Sequence, residues 1–158
     1  MFMQKEGFVI RREKTVVREL VNEIISFYKM GAQVQKNTFH NLVPEHIILH
    51  TDASLLGLVL RNLVDNANKY TSAGAITIES MQDPATTRIT LTDAGECMDK
   101  QLVARILDKS YNPSQHSMGW GYKIIIEILD KLQGTLNIVP GHGKGNIITI
   151  TFENKDSI

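Results

Sequence analysis

Three runs with period-two patterning, AITIES at 75–80, TRITLTD at 87–93 and NIITITFE at 146–153, constrain this chain more than any other feature. A period of two sends alternate side chains to opposite faces, so these runs require a sheet with one face buried and one face wet. Thr149 and Thr151 suit the wet face. Apolar residues at three-and-four spacing supply the cover: the pattern predicts helices over 15–29, opened by Thr15, over 53–70, capped by Asp52, and over 122–132, stopped at Gly134. A shorter helix is predicted near 99–107. Strands are predicted over 8–12, 34–40, 46–50 and 135–140, and the polar stretch 108–121 reads as a loop. The resulting order, β-α-β-β-α-β-β-α-α-β-β, is dominated by hairpins rather than crossovers. It predicts an α/β fold, a two-layer sandwich whose mixed, mostly antiparallel sheet is covered by helices on one face.

At 158 residues and 42% hydrophobic, the chain suits one compact domain, expected over 1–158, since no repeat or low-complexity linker divides it. Seventeen basic and seventeen acidic side chains balance, and no Lys/Arg run tracks a phosphate backbone or an anionic leaflet. Nucleic acid and a membrane surface are therefore excluded as expected partners. The lone Cys97 rules out an internal disulfide framework and a cysteine-rich zinc site, and the five histidines form no metal spacing. No run of about 18 apolar residues is present. The expectation is a cytoplasmic domain, which is compatible with a membrane-anchored parent.

Within 53–70 the apolar stripe is Leu56, Leu60, Leu63 and Ala67, with Arg61, Asp65 and Asn68 expected on the wet side. Asn62, Asn66 and Lys69 fall between the two faces. Asparagine has modest helix propensity, because its amide competes for backbone hydrogen bonds. Two of them four apart are either solvated positions or amides at a cleft edge, where a neutral oxygen can serve a hard cation that keeps waters and phosphate oxygens as its other ligands.

LRNLVDNANKYT at 60–71 resembles the N box of the catalytic ATP-binding domain of sensor histidine kinases, in the wider ATPase group that includes gyrase, Hsp90 and MutL. The resemblance implies a Bergerat-type ATP-binding fold, ATP and Mg²⁺ as cofactors, Asn66 as the metal ligand, Lys69 at phosphate and Tyr70 bordering the nucleotide. Asn62 stands where the gyrase-like ATPases carry a glutamate that activates water. An amide is no general base near neutral pH, which disfavours hydrolysis and leaves the γ-phosphoryl for another acceptor, with Asn62 and Lys69 orienting phosphates.

DAGECM at 93–98 is similar to the family's DxGxG segment, which implies that Asp93 accepts the adenine amine and that Gly95 and Met98 lie against the nucleotide. Cys97 replaces the second glycine; if that position needed positive φ or close backbone approach, a side chain would narrow the pocket. SMGWGYKIII at 117–126 resembles the second glycine box, GxGLGLxI, with Gly119 and Gly121 matching and Ser117 in place of its first glycine. Glycines leading into a helix let its N–H groups face phosphate oxygens. The family's lid would correspond to the short DKSYNPSQHS, with Tyr111 nearest its aromatic and Lys109 and His116 as loop residues. GHGKG at 141–145 reads as a hairpin turn, because Lys144 is followed by glycine and strands flank it.

None of the five histidines sits in the family's phosphoacceptor context. The resemblance thus implies the catalytic part of a two-component sensor kinase, which transfers the γ-phosphoryl of ATP to a histidine on a dimerisation domain of the same or another chain, with a response regulator downstream. The alternatives are a degenerate docking module that binds nucleotide feebly or not at all, favoured by Cys97, Ser117 and the short lid, and an anti-sigma-type serine kinase on the same fold.

Overall fold

The computed structural model describes residues 9–30, 36–112, 119–141 and 143–154. The elements follow the expected order: β1 (Glu13–Val16), α1 (Val17–Met30), β2 (Thr38–Asn41), β3 (Ile48–Thr51), α2 (Ala53–Tyr70), β4 (Ala75–Gln82), β5 (Thr86–Thr92), α3 (Lys100–Leu107), α4 (Trp120–Leu132), β6 (Gly134–Pro140) and β7 (Asn146–Glu153). Five strands form one sheet in the order β2-β4-β5-β7-β6, while β1 and β3 pair separately. β2 and β4 run parallel and the other neighbours antiparallel. The mixed, mostly antiparallel α/β architecture is therefore the one expected. The parallel pair needs a long connection, which β3 and α2 supply.

Alternation sorts the sheet as the pattern requires. In β7, Ile148, Ile150 and Phe152 are buried while Ile147, Thr149 and Thr151 are half-buried. The register sets Ile148 opposite Leu91 and Ile150 opposite Ile89 on the inner face, and Thr149 opposite Thr90 on the outer one. The helices meet the inner face, with α2 packed between α1 and α4.

α2 has the bounds its pattern predicts because both ends are fixed by side chains. Asp52 Oδ1 accepts the Leu55 N–H at 3.1 Å, and its Oδ2 accepts the Arg11 N–H at 3.0 Å. The carboxylate also suits the positive end of the helix. At the other end, Asn37 Nδ2 donates to the Asn68 carbonyl at 3.1 Å and the Thr71 carbonyl at 2.8 Å, and Thr71 turns extended. Leu56, Leu60, Leu63 and Ala67 are buried as expected, joined by Val59 and Val64. Truncating Leu63, 2% exposed, to alanine would cost about 2–5 kcal/mol.

Several boundaries differ from expectation. Residue 8 lies outside the described residues, and 9–12 form no strand; the strand is 13–16, where Thr15 pairs with Leu49 and Val16 with Ile48. That pairing delays α1, so Thr15 does not open it. Residues 34 and 35 also lie outside, and β2 begins at Thr38. Asn68 is not on the wet side: it is half-buried, and its Oδ1 accepts from Asn37 at 3.0 Å. Trp120 and Gly121, read as loop, already belong to α4. The stop of α4 is Gln133, left-handed at φ 63°, and Gly134 serves a different need, since a Cβ there would lie 2.7 Å from the Phe152 ring.

Candidate functional site

The C-terminal half of α2, the 93–99 segment, α3, the start of α4 and the β6–β7 turn enclose a cavity of about 870 Å³. That volume lies within the range of small-molecule sites. Of the residues singled out in the sequence, Asn66, Lys69, Tyr70, Asp93, Gly95 and Met98 line it together. α2 brings the first three to one wall by helical spacing, and the end of β5 delivers Asp93 opposite them.

Asp93 is 8% exposed. Its Oδ1 accepts the Gly95 N–H at 3.0 Å, the Asn146 N–H at 3.2 Å and the Asn146 amide at 3.4 Å. Among the described residues no hydrogen bond to Oδ2 accompanies these, so that oxygen remains for a ligand donor. Burial pushes the Asp93 carboxyl above the usual carboxylate range, and the bonds from Gly95 and Asn146 oppose this without cancelling it.

Gly95 is required by the chain itself, since a Cβ there would lie 2.5 Å from the Tyr70 carbonyl oxygen. The glycine lets the Asp93 loop close against the end of α2. Cys97 has no such need: the positive-φ non-glycine residues among those described are Lys36, Ala73 and Gln133. Its thiol donates to the Gly145 carbonyl at 3.1 Å and lines the cavity.

Asn62, Gly119 and Gly121 are outside the lining. Asn62 Nδ2 donates back to the Leu58 carbonyl at 2.8 Å, one turn earlier in the same helix. Gly119 is the N-cap of α4 and brings no side chain to it, so first-turn N–H groups remain for an anion. Gly121 sits against α2, where a Cβ would lie 3.8 Å from Asn66 Nδ2. His116 and Ser117 lie outside the described residues. Lys109 pairs with Asp130 of α4 at 3.2 Å, and Tyr111 is half-buried, away from the cavity.

Among the lining residues that sequence reasoning did not assign to the site are Arg105, Tyr122, Lys144 and Asn146. β6 and β7 pair as a hairpin, with the Gly141 N–H on the Gly145 carbonyl at 2.9 Å, and Lys144 beside that bond reaches the cavity. With Lys69 and Arg105, the rim holds three cationic side chains. Asn146 was legible in principle, because it falls in phase with the buried Ile148 and Ile150 and a polar group there needs internal partners.

A profile of the histidine kinase-, DNA gyrase B- and HSP90-like ATPases matches residues 51–156. The chain belongs to this family. The match begins one residue before the cap of α2 and contains every residue that lines the cavity. The heme sensor protein HssS of Staphylococcus saprophyticus is 30% identical over 140 residues, covering 87% of this chain and 30% of that protein. The sensor protein BceS of Bacillus subtilis is 29% identical over 124 residues, 75% of this chain and 37% of BceS. The chain thus spans about a third of these relatives. The catalytic domain of the histidine kinase ThkA, in a nucleotide-free form, superposes with a TM-score of 0.78 at 18% identity over 90% of this chain and 95% of that one. The sensor-kinase resemblance in the N box is therefore a family relationship, and the fold is that of histidine kinase catalytic domains. No described helix is long and apolar enough to cross a membrane.

Proposed function

We propose that this domain binds ATP with Mg²⁺ in the 870 Å³ cavity and transfers the γ-phosphoryl to a histidine of a dimerisation domain on the same or another chain. The observation that carries the reading is the pairing of two unlike groups on one cavity: the buried Asp93 carboxylate and the Asn66 amide. A carboxylate with one oxygen held by the backbone and the other open selects an amine donor. Adenine offers one there, whereas the keto oxygen of guanine would meet lone pair with lone pair.

The residues fit the metal. Among those described, no cluster of three or more His, Cys, Asp or Glu could hold an ion unaided. A single amide oxygen from Asn66 suits Mg²⁺, which binds largely through substrate phosphates and water. When bound, the ion neutralises and orients phosphate charge. Lys69, Arg105 and Lys144 add positive charge at the rim, and the N-terminus of α4 offers N–H groups to the anionic end. Met98 and Tyr70 flank the base. Asn62 supplies no base for water, and its amide is tied to Leu58, so positioning and charge neutralisation remain the contributions to catalysis. The proposed setting is the cytoplasmic side of a sensor, with a response regulator receiving the phosphoryl group in turn.

The Cys97 side chain on the cavity wall favours a second reading, a docking module without nucleotide. Calorimetric titration with ATP and ADP, with and without Mg²⁺, separates the two. Saturable binding that Asp93→Asn abolishes supports the kinase reading, and silence at millimolar nucleotide supports docking. Adding the purified dimerisation segment and finding acid-labile phosphate tests the transfer itself.

A further inference from the structure

Tyr122 is 4% exposed at the wall of the cavity, while Tyr70, which also lines it, is 49% exposed. The glycine-box pattern has leucine at this place, and leucine would fill the wall without a hydroxyl. A buried hydroxyl costs stability unless it is hydrogen-bonded. Asn66 of α2 lines the same cavity and is a polar neighbour close enough to favour ionisation of this hydroxyl. The backbone geometry agrees, since a Cβ on the adjacent Gly121 would lie 3.8 Å from Asn66 Nδ2, which sets the nitrogen of that amide against α4. Burial, reinforced by the negative charge of Asp93, keeps the Tyr122 hydroxyl protonated well beyond the usual tyrosine range.

An amide is nearly symmetrical in shape and wholly unsymmetrical in chemistry. Its oxygen can ligate a hard cation and its nitrogen cannot. A side chain free to flip would present the wrong atom part of the time. We infer that Tyr122 is a positioning residue: its hydroxyl engages the Asn66 amide nitrogen and so turns Asn66 Oδ1 into the cavity as the cation ligand. This rests on the nucleotide reading proposed above.

Tyr122→Phe keeps the ring and removes only the hydroxyl; Tyr122→Leu restores the family's side chain and serves as the second variant. Affinity for ATP is measured by calorimetry in Mg²⁺ and in EDTA for the native chain and both variants, with thermal unfolding as the folding check. The expected result is that the native chain binds ATP more tightly in Mg²⁺, that both variants lose roughly three- to tenfold of that gain, and that affinity in EDTA is unchanged. A merely structural role would weaken binding equally in both buffers. A readout independent of nucleotide is the Asn66 side-chain amide resonance, which shifts in Tyr122→Phe. Variants that keep the full Mg²⁺ gain, or an unshifted resonance, overturn the positioning role and leave the nucleotide reading standing. Equal losses in both buffers overturn it as well. A native chain that binds ATP with no gain from Mg²⁺ overturns the cation role of Asn66 and this inference with it, and one that binds no ATP overturns the nucleotide reading and this inference together.

Discussion

Asn146 bonds both ends of the Asp93 loop. Its N–H and amide reach Asp93 Oδ1 at 3.2 and 3.4 Å, while its Oδ1 accepts the Met98 N–H at 2.7 Å and its amide donates to the Glu96 carbonyl at 2.9 Å. One side chain, 53 residues away in sequence, thus holds the floor of the cavity in shape.

Asn146→Ala strips partners from the Met98 N–H and the Glu96 carbonyl. Leaving such groups unpaired costs about 1–3 kcal/mol each where they remain buried. Urea unfolding should show a loss of that order, and ATP affinity should fall with it. An unchanged midpoint would show that the loop holds its shape without this residue.

Asp93→Asn separates stability from binding. Burial raises the folded-state pKa of Asp93 above its unfolded value, so its contribution to stability is complete below the ordinary carboxylate range. It is lost as the pH rises through the raised value. Asparagine keeps an acceptor for Gly95 and Asn146 without a buried charge. The variant should therefore gain in melting temperature relative to the native chain on going from acid to neutral pH, while ATP binding is lost. The opposite trend in paired thermal scans would overturn the assignment of burial as the main influence on this group.

Gly145 and Gly143 share a positive φ, 87° and 86°, and differ in surroundings. A Cβ on Gly145 would lie 2.0 Å from the Asp93 carbonyl oxygen, whereas one on Gly143 meets nothing within 4 Å. Gly143→Ala should cost about 1–2 kcal/mol from backbone strain alone. Gly145→Ala should cost about 4 kcal/mol or more, or yield no folded protein. Similar denaturation curves for the two would contradict the close approach.

Cys97→Gly would restore the family's residue without restoring function that had been lost. The backbone at Cys97 is not left-handed, so glycine relieves no strain there. Losing the thiol bond to Gly145 and loosening the unfolded chain should lower stability by about 0.4–1 kcal/mol, with no tightening of ATP binding. A marked gain in affinity would show that the thiol obstructs the cavity.

Local chemistry was legible and distant pairing was not. α2 matched its pattern because Asp52 and the Leu56–Ala67 stripe act within a few residues of one another. The first strand was misplaced because FVI is locally the more apolar run, whereas the actual strand, EKTV, is chosen by its register with β3, some 35 residues on. Asn66, Lys69 and Tyr70 could be placed on the cavity because one helix carries them, whereas Asn62, one turn earlier on the same helix, turns back to the Leu58 carbonyl. Arg105, Tyr122 and Lys144 could not be placed there, since their neighbours are set by the tertiary fold; for Asn146 the strand phase marks only a polar group at a buried position. Gly121 and Trp120 read as loop because two glycines flank the tryptophan, yet glycine at a helix start is no barrier when the helix packs against another.

β7 is translated after every other described element, yet it occupies an interior place in the sheet, between β5 and β6, and it opens with Asn146. A nascent chain still in the ribosomal tunnel therefore has neither the ladder that closes the sheet nor the amide that shapes the loop under Asp93. If the proposed nucleotide reading holds, a chain truncated before Asn146 should therefore gain no stability from ATP.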